Sequence, residues 1–570
     1  MRRIRQSLGA PSGGVVRTPP SLRAPDELEG SSNIVGHPLY GAYVRPPIYH
    51  VSQISGTQST QLAAEHIAYD DSGVPYKLSI VDGTLNVFNE AGVPQVISAP
   101  NGFGYLTGGD VRFVTIGLET YIVNRATVPL TPATPASPGV GQAGVTVYVR
   151  KWEPNKTYSL TVHGTTVSHT TGTSGSIVTV ATALIAAINA ALPTTFFALG
   201  GAGGAFGILR IGASALVPFS VSQSGPSEDA MTILTNTVQI WEDLPLEFTD
   251  GAVVSVVGNP DNDQDNYFLR FVGPATGAYG PGSWVETTGF DVPLTLDGAT
   301  WPHRFRRTPS GINFGVFERV PWAQRTVGNL ITNPWPIVSG VPIQDVFQIE
   351  GRLGLLGPRG VTLSETFWPE NLFRTKTADL IDSDPVNIDA PSLLGAWHSA
   401  IEWNGSLLLW SDEGQSVLDG GGQPISQRSV RLRQISSYRS DPSVKPIRDG
   451  GRIFFFLRTV TGTEVWEYLF RSDGAPPLAV QITARATQVI SGVPRGLATF
   501  EPLGLLLVAT SNGLWIITSL EGDDRRRINP MTLPAGHSVM CLSKSELDLG
   551  LILNAPTGVS INTINLERSS

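Results

Sequence analysis

Cysteine is nearly missing: the 570 residues include one, Cys541, which excludes an intrachain disulfide framework and any cysteine-based zinc site. Stability has to come from packing or assembly. Charge is also scarce, at 15% of the chain, well below the usual quarter. A large chain this sparing with charge, yet near neutral in mean hydropathy, is expected to cover much of its uncharged surface in permanent contacts with other subunits. Long apolar runs are absent too. The longest helix-like stretch, TVATALIAAINAAL at 179–192, falls short of the roughly 20 residues a bilayer span needs. The start MRRIRQ is basic, but SLGAPSGGVVRTPP behind it offers no apolar core for a secretory signal. The chain reads as soluble and made inside a cell.

The usual anchors of chemistry are missing as well. The sequence holds no GxxxxGK[ST], HExxH or GxSxG, and LGGAGGAFG at 199–207 lacks the GxGxxG spacing. Its eight histidines are scattered without metal-like pairing. Asp261, Asp263 and Asp265 match the start of a calcium loop, but Asn266 stands where its glycine belongs and Val272 where its bidentate glutamate belongs. That segment reads as a polar hairpin tip. Two adjacent acids, Asp412 and Glu413 in LLLWSDEGQSVL at 407–418, raise the question of an acid and base pair. The same letters describe a strand, a glycine-ended turn and a second strand. In LLLVATSNGLWIIT at 505–518 the letters SNG fill that turn without an acid, so both acids read as architectural. The aromatic and proline clusters WPHRFRR (301–307) and TNPWP (332–336) could stack on a sugar or base. They read instead as rigid corners, with Trp335 wedged into the core.

Glycine (62) and proline (43) together make about 18% of the residues, against roughly 12% on average, and they punctuate short strands. Length alone suggests roughly two to four domains. Residues 1–30 carry Arg2, Arg3, Arg5, Arg17 and Arg23 before the first acid, Asp26, and read as a flexible basic arm. Residues 31–128 form a β-rich segment with hairpins turning at Asp82-Gly83 and around Gly117 to Glu119. PLTPATPASPGVGQAG, 129–144, reads as a linker. Residues 145–245, with the helix candidate at 179–192, read as an inserted α+β domain. Strand pairs then recur through 246–520, about 45 to 60 residues apart, near what one four-stranded propeller blade needs. Residues 521–570 remain as a C-terminal segment. The fold class expected is mainly β, a β-propeller-like body built from strand pairs with an inserted α+β module.

Several segments, in order, resemble the tail tubular protein B family, the nozzle proteins of short-tailed, T7-like bacteriophages. They are VRPP (44–47), NGFGYLTGGDVRFVTIGLETYIVNR (101–125), KTYSLTVHGTTVS (156–168), TNPWP, IQDVFQIEGRLGLLG (343–357), DSDPVNID (382–389) and LLLWSDEGQSVL. The resemblance implies a virion structural protein of the phage tail, synthesised in the host cytoplasm and without a cofactor. It implies a hexameric ring below the adaptor (tail tubular protein A) ring, with genomic double-stranded DNA leaving through a central channel and tail fibres or spikes as further partners. Nozzle proteins usually continue well beyond the last matched hairpin, whereas this sequence stops about fifty residues after it; distal-tip and fibre-docking features are expected to be reduced or provided by another protein. The channel-lining residues are not legible. The alternative is a propeller that binds or cleaves glycans, with carboxylates from separate blades meeting near the axis.

Overall fold

The computed structural model describes residues 11–565 apart from 133–144, 201, 211–218, 236, 259–265, 277–278, 290–291, 309–312, 391–394, 461, 472–475, 487, 519–524 and 545–548. The linker's core and the three calcium-like aspartates lie outside the described residues. The fold is mainly β, as expected.

Seven of the sheets among the described residues follow one another around a ring. The first is Ala64–Tyr69, Pro75–Val81, Thr84–Asn89 and Pro94–Gln95. The second orders Val111–Ile116, Glu119–Asn124, His303–Arg307, Gly315–Arg319 and Ile97–Ser98. Four meanders follow, spanning 345–389, 397–436, 447–481 and 494–531. The seventh joins Ser538–Lys544, Leu549–Ala555 and Gly558–Ile564 to Ile48–Ser55, whose Ile48 pairs with Ile564. That last pairing clasps the two ends of the body together.

Apolar layers between consecutive sheets close the ring. Leu78 and Phe305 join the first and second sheets, Tyr121 and Leu353 the second and third, Phe347 and Leu409 the third and fourth. Trp410 and Phe455 continue to the fifth, Phe456 and Val508 to the sixth, Leu507 and Leu551 to the seventh, and Met540 and Val81 return to the first. This explains the unalternating runs in the sequence. A strand buried on both faces reads as continuously apolar: in LLLW, Leu407 and Leu409 face the third sheet while Leu408 and Trp410 face the fifth. Phe454 and Phe456 likewise face the sixth sheet while Phe455 faces the fourth. Burying each such side chain contributes about 1.5–3 kcal/mol.

The turn chemistry places the hairpins. Asp82 and Gly83 both have positive φ, +50° and +70°, as a two-residue turn between Val81 and Thr84 requires. Gly117 and Leu118 turn between Ile116 and Glu119, with positive φ (+61°) at the glycine alone.

Residues 125–302 are an excursion between two strands that lie side by side, since Glu119 pairs with Arg306. Within it, helix Ile177–Ala191 is capped by Ser176, whose hydroxyl accepts from the Thr179 amide. Val180, Ala181, Leu184 and Ile188 fall on one helical face and pack onto Val147, Leu160 and Phe206 of two small sheets. A further sheet, Thr237–Val238, Val253–Val256, Tyr267–Val272 and Ser283–Thr287, pairs with none of the seven. Residues 246–289, expected within the body, thus lie in this excursion, whereas Leu296 and Trp301 pack into the layer between the second and third sheets. Residues 11–30, expected as a flexible arm, are docked: Val15 donates to the Ile528 carbonyl, Arg17 to the Arg485 carbonyl, and Arg485 pairs with buried Glu27 at 2.8 Å. The segment 521–570 supplies the sixth sheet's outer strand and three strands of the seventh.

Candidate functional site at the sheet axis

The innermost strands of the seven sheets surround two adjoining cavities of about 290 and 550 Å³, which share Phe113, Lys445, Ile447 and Leu497. The axis is where concave chemistry would be sought. Its best-organised group is Asp345, fully buried at the start of the third sheet. One carboxylate oxygen accepts from the Val346 amide at 2.9 Å, and the other accepts from the Ala400 amide at 2.8 Å and Lys445 Nζ at 2.7 Å. Three successive sheets meet on this one side chain. His398 beside it bonds the hydroxyls of Ser399 and Ser440, and burial lowers its pKa to about 4. It is a neutral, structural imidazole at pH 7.

In the smaller cavity Asp110 is paired with Arg125 at 3.3 Å and Arg112 at 3.7 Å. Burial, reinforced by neighbouring Arg125, lowers the pKa of Arg112. Glu65 is buried, and loss of hydration raises its pKa against the attraction of Lys77. Burial pushes the Cys541 thiol up to about 12, so it is no thiolate nucleophile at neutral pH. His66, bonded to Thr115 and stacked on Phe113, is lowered to about 4 by burial. In the larger cavity the lining carboxylate is Glu402. A glycosidase needs two carboxyl groups facing one substrate, one proton-loaded and one ionised. Here Asp345 and Asp110 are committed to cations and amides, while Glu65 and Glu402 line different cavities.

Asp412 and Glu413 are exposed at the hairpin tip between Ser406–Ser411 and Gln415–Asp419. Ser411 closes the turn, its hydroxyl accepting from the Gly414 amide at 2.9 Å, and Asp412 accepts from the Ala396 amide at 2.9 Å. The SNG turn sits at the equivalent strand pair of the sixth sheet, Leu505–Thr510 with Gly513–Thr518. Among the described residues no group of three His, Cys, Asp or Glu side chains is placed to hold a metal.

The stretches that carry the resemblance prove to be clamps. Arg352 of the RLG stretch is buried, and its guanidinium donates to the carbonyls of Ser364, Asp382 and Asp384, fastening DSDP to the third sheet. Asn333 of TNPWP donates to the Val327 and Arg374 carbonyls. Trp335 is half-buried rather than fully wedged, with the Arg325 guanidinium 4.4 Å over its ring. Burial lowers the pKa of Arg325 to about 10. Trp301 of WPHRFRR is buried and donates to the Leu130 carbonyl, while Arg304 pairs with Glu119, Glu318 and Glu370. These corners present no stacking platform. Sequence reasoning missed Asp345, Lys445, His398 and Arg325, because nothing local marks a residue whose partners are far along the chain.

Comparison with known proteins supplies what the site does not. A sequence model described as "Bacteriophage nozzle protein" matches residues 1–513. The chain belongs to the bacteriophage nozzle protein family. It is 25% identical over 513 residues to the tail tubular protein gp12 of Escherichia phage T7, covering 87% of this chain and 62% of that protein. This nozzle protein therefore spans less than two thirds of the length of that relative. Membership makes it a structural component of a phage tail, located in the virion. Among solved structures, Kluyvelomyces marxianus Hsv2 aligns over 50% of the chain and 69% of its own at 7% identity, with a TM-score of 0.26. At that score the likeness carries no argument.

Proposed function

We propose that this chain is a non-enzymatic tail nozzle: six copies form a ring, joined to an adaptor (tail tubular protein A) ring, and the ring's channel retains and then conducts the genomic duplex. The observation that carries the reading is the family match across residues 1–513. Two physical features support it. A chain with few charges and a rigid, closed body suits a head-to-tail interface that closes by rotation without open-ended growth. At the axis Asp345, Lys445 and His398 are spent on tying neighbouring elements together, as a scaffold requires. Sixfold symmetry, the adaptor and attached tail fibres or spikes come from the family resemblance.

The charge balance fits a conduit. With 39 basic and 48 acidic residues the formal charge is −9, so six copies carry about −54, a field that repels a polyanion except where cations are concentrated. DNA moving through such a wall meets little to hold it. Native mass spectrometry of tails released from particles is expected to show six copies bound to the adaptor ring. A single copy per tail, or copies recovered only in fibres, would overturn the reading.

A further inference from the structure

One surface departs from this acidic balance. The segment Arg428 to Arg439, RSVRLRQISSYR, carries four arginines and no acid, and Arg428, Arg431, Arg433 and Arg439 are all exposed. It runs along the outer edge of the fourth sheet, whose last strand is Arg431–Ser436. Arg433 pairs with Asp419 at 3.5 Å. Among the described residues, no acid lies within ion-pair distance of the other three. The Arg431 guanidinium rests over the turn at Gly421, where an added Cβ would come within 2.6 Å of it.

Charged side chains on an edge strand often serve only to block sheet-to-sheet pairing. The other six sheets argue against that explanation here. Their outer strands are Pro94–Gln95, Ile97–Ser98, Val386–Asp389, Leu478–Gln481, Arg527–Met531 and Ile48–Ser55. Together they hold a single basic residue of the Lys or Arg type, Arg527, and it is buried. Edge protection in this body works without an exposed arginine six times in seven.

Arg431 and Arg433, two residues apart on one face, stand about 6.6 Å apart at a strand's rise. One strand of a duplex carries a phosphate about every 3.4 Å along its axis, so the pair spans about two phosphates and the whole strip several. Guanidinium groups are suited to phosphate oxygens through their planar fork of donors. We propose that the outer edge of the fourth sheet, through Arg428, Arg431, Arg433 and Arg439, is where this chain meets the phosphate backbone of duplex DNA. The inference rests on the channel reading above and adds to it which side of the subunit faces the lumen. The contact is sequence-blind and weak enough to let DNA slide.

The test is fluorescence anisotropy of the full chain with a duplex of about 30 base pairs, over about 20 to 150 mM salt, where non-specific phosphate contacts are measurable. The quadruple Arg→Gln variant is expected to lose at least about tenfold in affinity near 50 mM salt and to flatten the log K against log salt slope by about 3.6 units, about 0.9 per lost contact. The quadruple Arg→Lys variant keeps the charges and is expected to keep the slope. An unchanged slope in the Gln variant overturns the proposal, as does an equal loss in the Lys variant. Tails that fail to assemble from a Gln variant with wild-type DNA affinity would make the strip a subunit contact and also overturn it. The two readings fail separately: chains that form no ring sink the nozzle reading, whereas a normal ring with an unchanged salt slope sinks only the arginine strip.

Discussion

Replacing Asp345 with alanine is the sharpest test of how the body holds together. The carboxylate is fully buried and serves two amides and one ammonium, those of Val346, Ala400 and Lys445. Removing it leaves the buried Ala400 amide without its acceptor, a loss of about 1–3 kcal/mol, and strips Lys445 of its partner. Breaking a buried pair from one side costs about 3–5 kcal/mol when the survivor stays buried. The Lys445 side chain is 34% exposed and can turn to water, so the lower end applies. Asp345→Ala is expected to destabilise the body by about 3 kcal/mol, and Asp345→Asn, which keeps one acceptor but turns an amide toward donors, by about 2 kcal/mol. Denaturant unfolding followed by tryptophan fluorescence measures this. A double-mutant cycle with Lys445→Met isolates the ion pair, with a coupling of at least about 1 kcal/mol expected. A loss below about 1 kcal/mol for Asp345→Ala would refute the claim that this residue ties three sheets.

The hairpin acids are expected to be dispensable: Asp412→Asn with Glu413→Gln keeps the acceptor for Ala396 and changes stability by no more than about 0.5 kcal/mol, and well-assembled particles that lose infectivity would reopen a chemical role. Acid should weaken the fold through His303 and His398, both 3% exposed and both lowered to about 4 by burial. Their folded values lie below the unfolded 6.5, so the unfolded chain binds more protons and stability falls as pH drops from 6.5 toward 4, by about 2 kcal/mol per histidine at pH 5. Denaturant midpoints at pH 7 and pH 5 read the effect, and a His398→Gln variant with the same pH slope as wild type would count against it. The whole chain is expected to bind duplex DNA no better than about 10⁻⁴ to 10⁻⁶ M at physiological salt; nanomolar binding in a filter assay would contradict the low-friction wall.

Much of the body was legible where the chain's chemistry is local. Asp82-Gly83 declares a two-residue hairpin because both residues tolerate positive φ, and the recurrence of LLLW, FFF and LLLV at blade-like spacing reflects strands buried on both faces. The acids in SDEG could be set aside because SNG makes an equivalent turn without them. Long-range pairing leaves no such mark. Nothing near Ile48–Ser55 says that it completes a sheet with Gly558–Ile564, some 500 residues later. The docking of Val15 and Glu27 on Ile528 and Arg485 is hidden for the same reason, and so is the self-contained sheet at 237–287. The axial residues were unreadable because Asp345, Lys445 and His398 take their meaning from three different sheets, and an isolated acid, lysine or histidine in a sequence has no visible partner.

Cryo-electron microscopy of intact tails would show directly whether this chain forms a channel-bearing ring. The expected map has six copies of this chain around a channel, in contact with the adaptor ring, each seven-sheet body intact and the fourth sheet's outer edge turned to the lumen density. A map that places this chain outside the tail tube, or in an assembly with no continuous central channel, would contradict it.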